Sequence, residues 1–169
     1  MYTLNADVSQ PKAEMYADLL PQCQGLLSDS RDMIVNLSQF SALLFNLLPD
    51  LNWAGFYLSA APETLILGPF QGKVACVTIP FSKGVCGAAA RTGDIQCIAD
   101  VHAFPGHIAC DAASRSELVI PLYFEDRLIG VLDLDSPSPN RFDEEDVRGI
   151  NALCQCLITQ TDWKWQFQA

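Results

Sequence analysis

The sequence predicts an α+β domain, with helices at both ends of the chain and an antiparallel sheet between them. Apolar residues recur at helical spacing before residue 49 and after residue 143. The middle of the chain instead holds short apolar runs separated by tight turns, which is typical of strands. The chain has 169 residues, of which 50% are hydrophobic, so one domain can bury a full core. We therefore expect a single domain over residues 1–169, with its core within about 12–160.

Two helices are predicted before residue 49. Residues 12–27 form the first, and Pro21 should kink or break it because proline cannot donate the helical hydrogen bond. Ser28-Asp29-Ser30 offers cap oxygens for the second helix, which Pro49 ends. The apolar stripe of this second helix comprises Met33, Leu37, Phe40, Leu44, Leu47 and Leu48.

The middle of the chain predicts strands, and two pairs of them form hairpins that turn at Pro62-Glu63 and at Glu125-Asp126. A short helix over 84–93 has Gly93 as its C-cap, and 99–116 is loop-like. The predicted strands are residues 53–59, 64–67, 74–80, 118–124 and 127–134.

A last helix is predicted after Asp143, which is a natural N-cap residue. Acidic residues in the first turn complement the helix dipole. The apolar stripe of this helix comprises Val147, Ile150, Leu153, Cys154, Leu157 and Ile158.

The charge of the chain excludes two classes of partner. The net charge is −10 and no cluster of Lys or Arg exists, which argues against nucleic acid and against an anionic membrane. No run of eighteen apolar residues appears, so we expect no membrane-spanning helix. Nothing at the N-terminus resembles a secretory signal, and we therefore expect a cytoplasmic protein whose cysteines are thiols.

Three of the seven cysteines, Cys76, Cys86 and Cys110, frame the middle of the chain. Structural zinc sites pair cysteines two to four residues apart, and that pairing is missing here. Thiols in a reducing compartment suggest chemistry that cycles between thiol and disulfide. The alternative is that all seven cysteines are small buried packing residues. Packing is the preferred interpretation for the other four, Cys23, Cys97, Cys154 and Cys156.

Asp133 and Asp135 lie two residues apart at the end of an apolar strand, so they point to the same face. Like charges on a buried face raise each other's pKa, and a raised pKa suits a proton donor near neutral pH. Glu117, just before another strand, can complete the cluster. The alternatives are a binding site for a cationic group, a turn that begins at Asp135, and a metal site. The metal site is less favoured because no histidine or further carboxylate has ligand spacing.

Trp53 and Tyr57 fall on one face of a strand, where they predict either an aromatic wall of a binding site or plain core. His107 precedes Cys110 by three residues. It could favour the Cys110 thiolate, or it could simply bond to the backbone.

A series of motifs along residues 12–160 is similar to that of the free methionine-(R)-sulfoxide reductases, enzymes built on a single GAF domain. The resemblance implies a six-stranded antiparallel sheet with helices packed on it. The most specific part is the three cysteines combined with Gly106–Asp111. The other motifs are Asn52–Tyr57, Gly68–Gly72, Gly84–Gly87, Asp100–His102, Ser116-Glu117 and Gly130–Asp135.

The resemblance also implies roles for individual residues. Cys110 would attack the sulfoxide sulfur and become a sulfenic acid, and Cys76 would resolve it as a disulfide that thioredoxin reduces. Cys86 would be a relay or an alternative attacker, and its position near a helix N-terminus predicts that the helix dipole lowers the pKa of its thiol. Glu117 or Asp135 would protonate the leaving oxygen, and no cofactor or metal is implied. The expected substrate-binding residues are Asp133, Asp135, Glu117, Trp53 and Tyr57.

Two further possibilities follow from the sequence. The alternative function is a non-catalytic GAF sensor that binds a small molecule or senses redox state through its cysteines. The long amphipathic first helix makes a homodimer plausible.

Overall fold

The computed structural model describes residues 3–106 and 111–164 of the chain. The α-helices in this part of the chain are α1 (Lys12–Leu27), α2 (Met33–Leu47), α3 (Gly84–Thr92) and α4 (Glu144–Gln160). The strands are β1 (Trp53–Ala61), β2 (Thr64–Gly72), β3 (Thr78–Pro80), β4 (Gln96–Ile98), β5 (Ser116–Phe124) and β6 (Arg127–Ser136).

The six strands form one sheet in the order β3-β2-β1-β6-β5-β4, and every neighbouring pair is antiparallel. The predicted α+β class, with helices packed on an antiparallel sheet of about six strands, is confirmed. Among the described residues, no helix is both long enough and apolar enough to cross a membrane.

Two hydrophobic clusters lie on opposite faces of the sheet, as the alternation of side chains along a strand requires. Helices α1, α2 and α4 pack on the face that carries Ala54 and Phe56 of β1. Helix α3 packs on the opposite face, which carries Trp53 and Tyr57. On β5 and β6, the same alternation places Glu117, Asp133 and Asp135 on the α3 face. The three predicted carboxylates therefore share the face that α3 covers with Trp53 and Tyr57.

Helix α1 continues through Pro21 and does not break there. Pro21 leaves the carbonyl of Ala17 without its helical hydrogen bond, but both residues are exposed, so water can solvate that carbonyl. The buried residues of the helix hold it in place from the other side.

Helix α2 is capped by Asp32, not by the predicted Ser28-Asp29-Ser30 segment. The carboxylate of Asp32 accepts hydrogen bonds from the backbone N–H groups of Ile34 and Val35, at 2.9 and 3.1 Å. The hydroxyl of Ser30 instead accepts from the N–H of Asp32, at 3.0 Å. The prediction failed because the helix begins at Met33, and a cap must directly precede the first turn.

Three of the five predicted strands are two residues longer in the structure, and the other two differ by four residues or more. Strand β2 extends to Gly72, since it pairs with β1 as far as Trp53. The strand predicted over 74–80 shrinks to β3, because Val74 and Val77 are 88% and 70% exposed and have no face to bury. Residues 73–77 are therefore a loop.

Candidate active site

The pairing of β1, β5 and β6 brings the predicted carboxylates together. Asp135 lies opposite Glu117 of β5 and opposite Trp53 of β1. Asp133 lies opposite Val119 of β5, one step further along the same face. All three carboxylates line one pocket with Trp53 and Tyr57.

Burial gives these acids unusual proton affinities. Glu117 and Asp133 are only 5% and 6% exposed. Burial raises the pKa of Asp133 to about 7. Burial, with the nearby charges of Asp133 and Asp135, raises the pKa of Glu117 well above its usual range. Burial and the charge of Asp133 also raise the pKa of Asp135. At least one proton therefore stays in the cluster near neutral pH, where it can be donated to a ligand.

Cys86 lies in the first turn of α3, with its Sγ atom 4.0 Å from Oε1 of Glu117. The sequence predicts that the helix dipole lowers its thiol pKa, and this is wrong. Burial, followed by the charges of Asp133 and Glu117, raises the pKa of Cys86 well above its usual range. The desolvation of a buried thiolate beside carboxylates outweighs the attraction of a short helix's dipole.

Of the other two cysteines of the frame, Cys76 is among the residues that the structure describes. Cys76 lies in the loop over 73–77, is partly exposed, and packs against the α3-side cluster. Its backbone carbonyl accepts a hydrogen bond from the Tyr57 hydroxyl at 3.1 Å. Cys110 and His107 lie outside the described residues. Asp111, the next residue after Cys110, lines the pocket.

The aromatic wall is a stack of three rings. The rings of Trp53 and Tyr57 are 5.8 Å apart between centroids, and those of Trp53 and Phe70 are 5.2 Å apart. A Cβ atom on Gly55 would lie 2.3 Å from that of Phe70, so glycine allows β2 to approach β1 here. Phe70, which supports Trp53, was not among the predicted site residues.

A polar contact at the pocket mouth was also missed from the sequence. Asp111 accepts a hydrogen bond from Asn52 Nδ2 at 3.2 Å and forms an ion pair with Lys73 at 3.1 Å. Asn52 also donates to the Ser114 hydroxyl at 3.1 Å. The sequence could have predicted a place for Asp111 at the site, because this residue directly follows Cys110. This contact connects the loop that holds Cys76 to the segment that follows Cys110.

The prediction that the remaining cysteines are packing residues is correct for Cys23 and Cys154, which are fully buried. Cys156 is partly buried and packs against the same core. The prediction is wrong for Cys97, which is exposed and donates to the carbonyl of Phe142 at 3.6 Å. Cys97 belongs to β4, a three-residue strand at the sheet edge, where little covers its side chain.

Within residues 3–106 and 111–164, one group of ligand atoms is close enough to hold a metal ion. The Sγ atom of Cys86 and one carboxylate oxygen each of Glu117 and Asp133 lie within 4.8 Å of one another. A proton donor, a thiol and an aromatic wall thus meet in a single pocket, which suits redox or acid–base chemistry on a small polar molecule.

Comparison with known proteins agrees with this chemistry. Residues 35–155 match the GAF domain family. The chain is 49% identical over 156 residues to the free methionine-R-sulfoxide reductase of Escherichia coli, covering 90% of this chain and 94% of that protein. The chain belongs to the free methionine-(R)-sulfoxide reductase family. The resemblance read from the motifs is thus confirmed.

Two further free methionine-R-sulfoxide reductases are similar to this chain in sequence or in structure. The free methionine-R-sulfoxide reductase of Saccharomyces cerevisiae is 44% identical over 153 residues, which are 86% of this chain and 85% of that protein. The free methionine-R-sulfoxide reductase of Neisseria meningitidis, solved in complex with its substrate, superposes with a TM-score of 0.89. That structure is 40% identical to this chain and covers 95% of it, so the fold of the family is preserved along nearly the whole length.

Proposed function

We propose that this chain reduces free L-methionine-(R)-sulfoxide to L-methionine. The observation that carries the proposal is a buried, proton-holding carboxylate cluster in the same pocket as an aromatic wall, within a family of reductases of this substrate. Reduction of a sulfoxide needs a proton donor for the leaving oxygen, and a carboxyl group with a raised pKa provides one at neutral pH.

The pocket suits each part of the substrate. The S-methyl group would pack against Trp53 and Tyr57, because contacts between sulfur and aromatic rings are mildly favourable. The sulfoxide oxygen would accept a proton from Glu117 or Asp135. Asp133 would hold the substrate ammonium, since one of its buried carboxylate oxygens lacks a hydrogen-bond partner among the described residues.

The proposed reaction begins when the Cys110 thiolate attacks the sulfoxide sulfur. The oxygen passes to Cys110 with a proton from the carboxylate cluster, so that Cys110 becomes a sulfenic acid and methionine leaves. The Cys76 thiol then attacks the sulfenic sulfur, which releases water and forms a disulfide. A dithiol protein such as thioredoxin would reduce this disulfide and restore both thiols.

The structural support for this division of labour concerns Cys76 and Cys86. Cys76 is partly exposed in a loop, and this exposure would give a second cysteine and an external reductant access to its sulfur. Cys86 is buried and its raised pKa keeps it a thiol, which makes it a poor attacker. We therefore assign Cys86 a supporting role, and Cys110 remains the proposed attacker.

The test is an assay that couples NADPH loss to the protein through thioredoxin and thioredoxin reductase. We expect turnover of the free R epimer, with much slower turnover of the S epimer and of the N-acetylated amide. Equal rates on all three would contradict the proposed specificity. Saturable binding of the sulfoxide with no methionine release would instead indicate the alternative function, a non-catalytic GAF sensor.

The setting of the reaction is also a proposal. A thioredoxin-dependent enzyme with thiol cysteines would work in the reducing cytoplasm.

A homodimer would need a surface other than the apolar stripe of α1, which packs within the chain. The exposed apolar side chains of the described residues include Ile34 and Val35 of α2, which are 49% and 44% exposed.

A further inference from the structure

Cys86, Glu117 and Asp133 come from three separate elements, α3, β5 and β6, and converge on one point. We propose that these three residues bind a zinc ion, which blocks the pocket. The predicted inhibition by zinc rests on the proposed function, whereas the binding of zinc does not depend on that function.

An unpartnered oxygen points to a ligand at this position. The Oδ1 atom of Asp133 has no hydrogen-bond partner in the part of the chain that the structure describes, although the residue is only 6% exposed. Buried carboxylate oxygens are normally hydrogen-bonded, and an orphaned one is costly. A cation bound at Oδ1 would remove that cost.

The charges around this point favour a cation as well. Glu117, Asp133 and Asp135 share one buried face, and each ionised carboxylate disfavours the next. Lys73 at the pocket mouth forms a salt bridge with Asp111. A divalent ion seated among the carboxylates would therefore meet little competition from that lysine.

The donor set selects zinc over the commoner hard cations. Mg²⁺ and Ca²⁺ prefer oxygen ligands, whereas zinc takes sulfur and oxygen together in a tetrahedral site. Zinc binds the sulfur as a thiolate, so its binding would release to solvent the proton that Cys86 otherwise holds. In such a site the ligand atoms are about 3.5 Å apart. The Cys86 sulfur and the Glu117 Oε1 atom are 4.0 Å apart, so a small side-chain rotation would bring them into range.

Three protein ligands leave the fourth position of a tetrahedral ion open to the pocket. The three ligands line the same pocket as Trp53 and Asp135, and Glu117 and Asp133 are also the residues proposed to contact the substrate. Zinc and the substrate would then exclude each other, and zinc inhibition should be competitive with methionine sulfoxide.

Binding is tested without turnover, in the reduced Cys76→Ser/Cys110→Ser variant, which lacks the proposed redox pair. Titration with Co²⁺ should produce a sulfur-to-cobalt charge-transfer band that saturates at one equivalent, and Zn²⁺ should abolish it. Adding Cys86→Ser should remove the band. Adding Cys97→Ser, a matched change at an exposed cysteine, should leave it intact.

The carboxylates are tested in the same background by isothermal titration calorimetry with Zn²⁺. Asp133→Asn and Glu117→Gln, which preserve side-chain shape, should each weaken zinc binding by about 10²-fold or more, beyond the usual cost of losing an outer-shell partner. Circular dichroism should confirm that each variant is folded. Unchanged affinity in both folded variants, or a cobalt band that survives Cys86→Ser, would overturn the site.

Inhibition is measured separately on the wild type. Micromolar Zn²⁺ should raise the KM for methionine sulfoxide without lowering kcat, and a chelator should reverse the effect. Noncompetitive inhibition would contradict the proposed position of the ion. If the wild type shows no turnover at all, the proposed function fails while the cobalt and zinc titrations still decide the metal site.

Discussion

At the scale of single residues, the carboxyl groups of Glu117, Asp133 and Asp135 give the pocket its capacity to donate a proton. They hold protons near neutral pH because burial disfavours their ionised forms. Two of them are two residues apart on one strand, and the third lies directly opposite on the next strand. Such an arrangement serves proton donation better than stability.

Removal of a proton donor should lower turnover. We expect Asp135→Asn and Glu117→Gln to reduce kcat by about 10²-fold or more, the usual scale for loss of a general acid. Asp133→Asn should act mainly through KM, because it would weaken binding of the substrate ammonium. Steady-state kinetics of the thioredoxin-coupled reaction would show the difference. Asp126→Asn, at an exposed turn, is the control. Near-wild-type rates in all three variants would mean that the cluster is structural.

Asp133 should also make stability depend on pH. Its pKa is about 7 in the folded protein but about 3.9 in an unfolded chain. Its contribution to stability is therefore fully present below about pH 4 and is lost as pH rises towards 7. The free energy of unfolding of Asp133→Asn, minus that of the wild type, should grow across this interval and then level off. Urea titrations at a series of pH values measure it.

Asp111→Asn is the opposite control for this measurement. The hydrogen bond from the Ala113 N–H and the contact with Lys73 hold the pKa of Asp111 below its usual value. Its stabilising contribution is thus present above about pH 4 and is lost as pH falls further. Identical pH profiles for the two variants would contradict both assignments.

At the scale of elements, the ends of helices and strands position the site. Helix α3 closes the pocket on one side, and β1, β5 and β6 form its floor. The far face of the sheet rests on α1, α2 and α4, so the helices that contribute most of the core contribute no pocket residue. Stability and chemistry are therefore largely separable in this fold.

The cap of α2 offers a direct test of that separation. Asp32→Ala should lower the free energy of unfolding by about 1 kcal/mol, because the carboxylate satisfies two backbone N–H groups of the first turn. Asp29→Ala, an exposed change three residues earlier, should have little effect. Both variants should retain wild-type kcat, since α2 does not line the pocket. Thermal unfolding and the coupled assay measure the two properties. An equal loss in both variants would show that the cap assignment is wrong.

At the scale of the whole molecule, the proposed chemistry requires two distant cysteine segments to meet. Cys76 lies in the loop after β2, and Cys110 lies before β5. The ion pair between Lys73 and Asp111 already connects the flanks of these segments. A disulfide needs the two Cα atoms within about 7 Å of each other.

We expect reduced protein to form a Cys76–Cys110 disulfide when treated with one equivalent of methionine sulfoxide and no reductant. Methionine release should stop near one equivalent per chain, and peptide mapping by mass spectrometry should identify the bond. Cys110→Ser should release no methionine. Cys76→Ser should release one equivalent and then stall, or pair with Cys86 instead. If Cys110→Ser stays active and Cys86→Ser is inactive, Cys86 is the attacker.

Much of the fold and part of the site could be predicted without a structure. Apolar periodicity locates α1, α2, α4 and most strands, because burial of one face imposes a period on the sequence. Gly93, as a C-cap residue, locates the end of α3. The two-residue spacing of Asp133 and Asp135 likewise places both on one face. Errors arose at helix caps and strand ends, where local hydrogen bonds and exposure decide the boundary, as at Asp32 and Val74.

The sequence by itself determined the fold class, the family, and the residue types that carry the chemistry. Only the tertiary structure decided which of them meet and how the pocket changes their proton affinity. Cys86 shows the reason: its helix position predicts a lowered pKa, but strands that follow it by some thirty to fifty residues bring two carboxylates beside it. Burial depends on the whole packed sheet, and no local stretch of sequence records it.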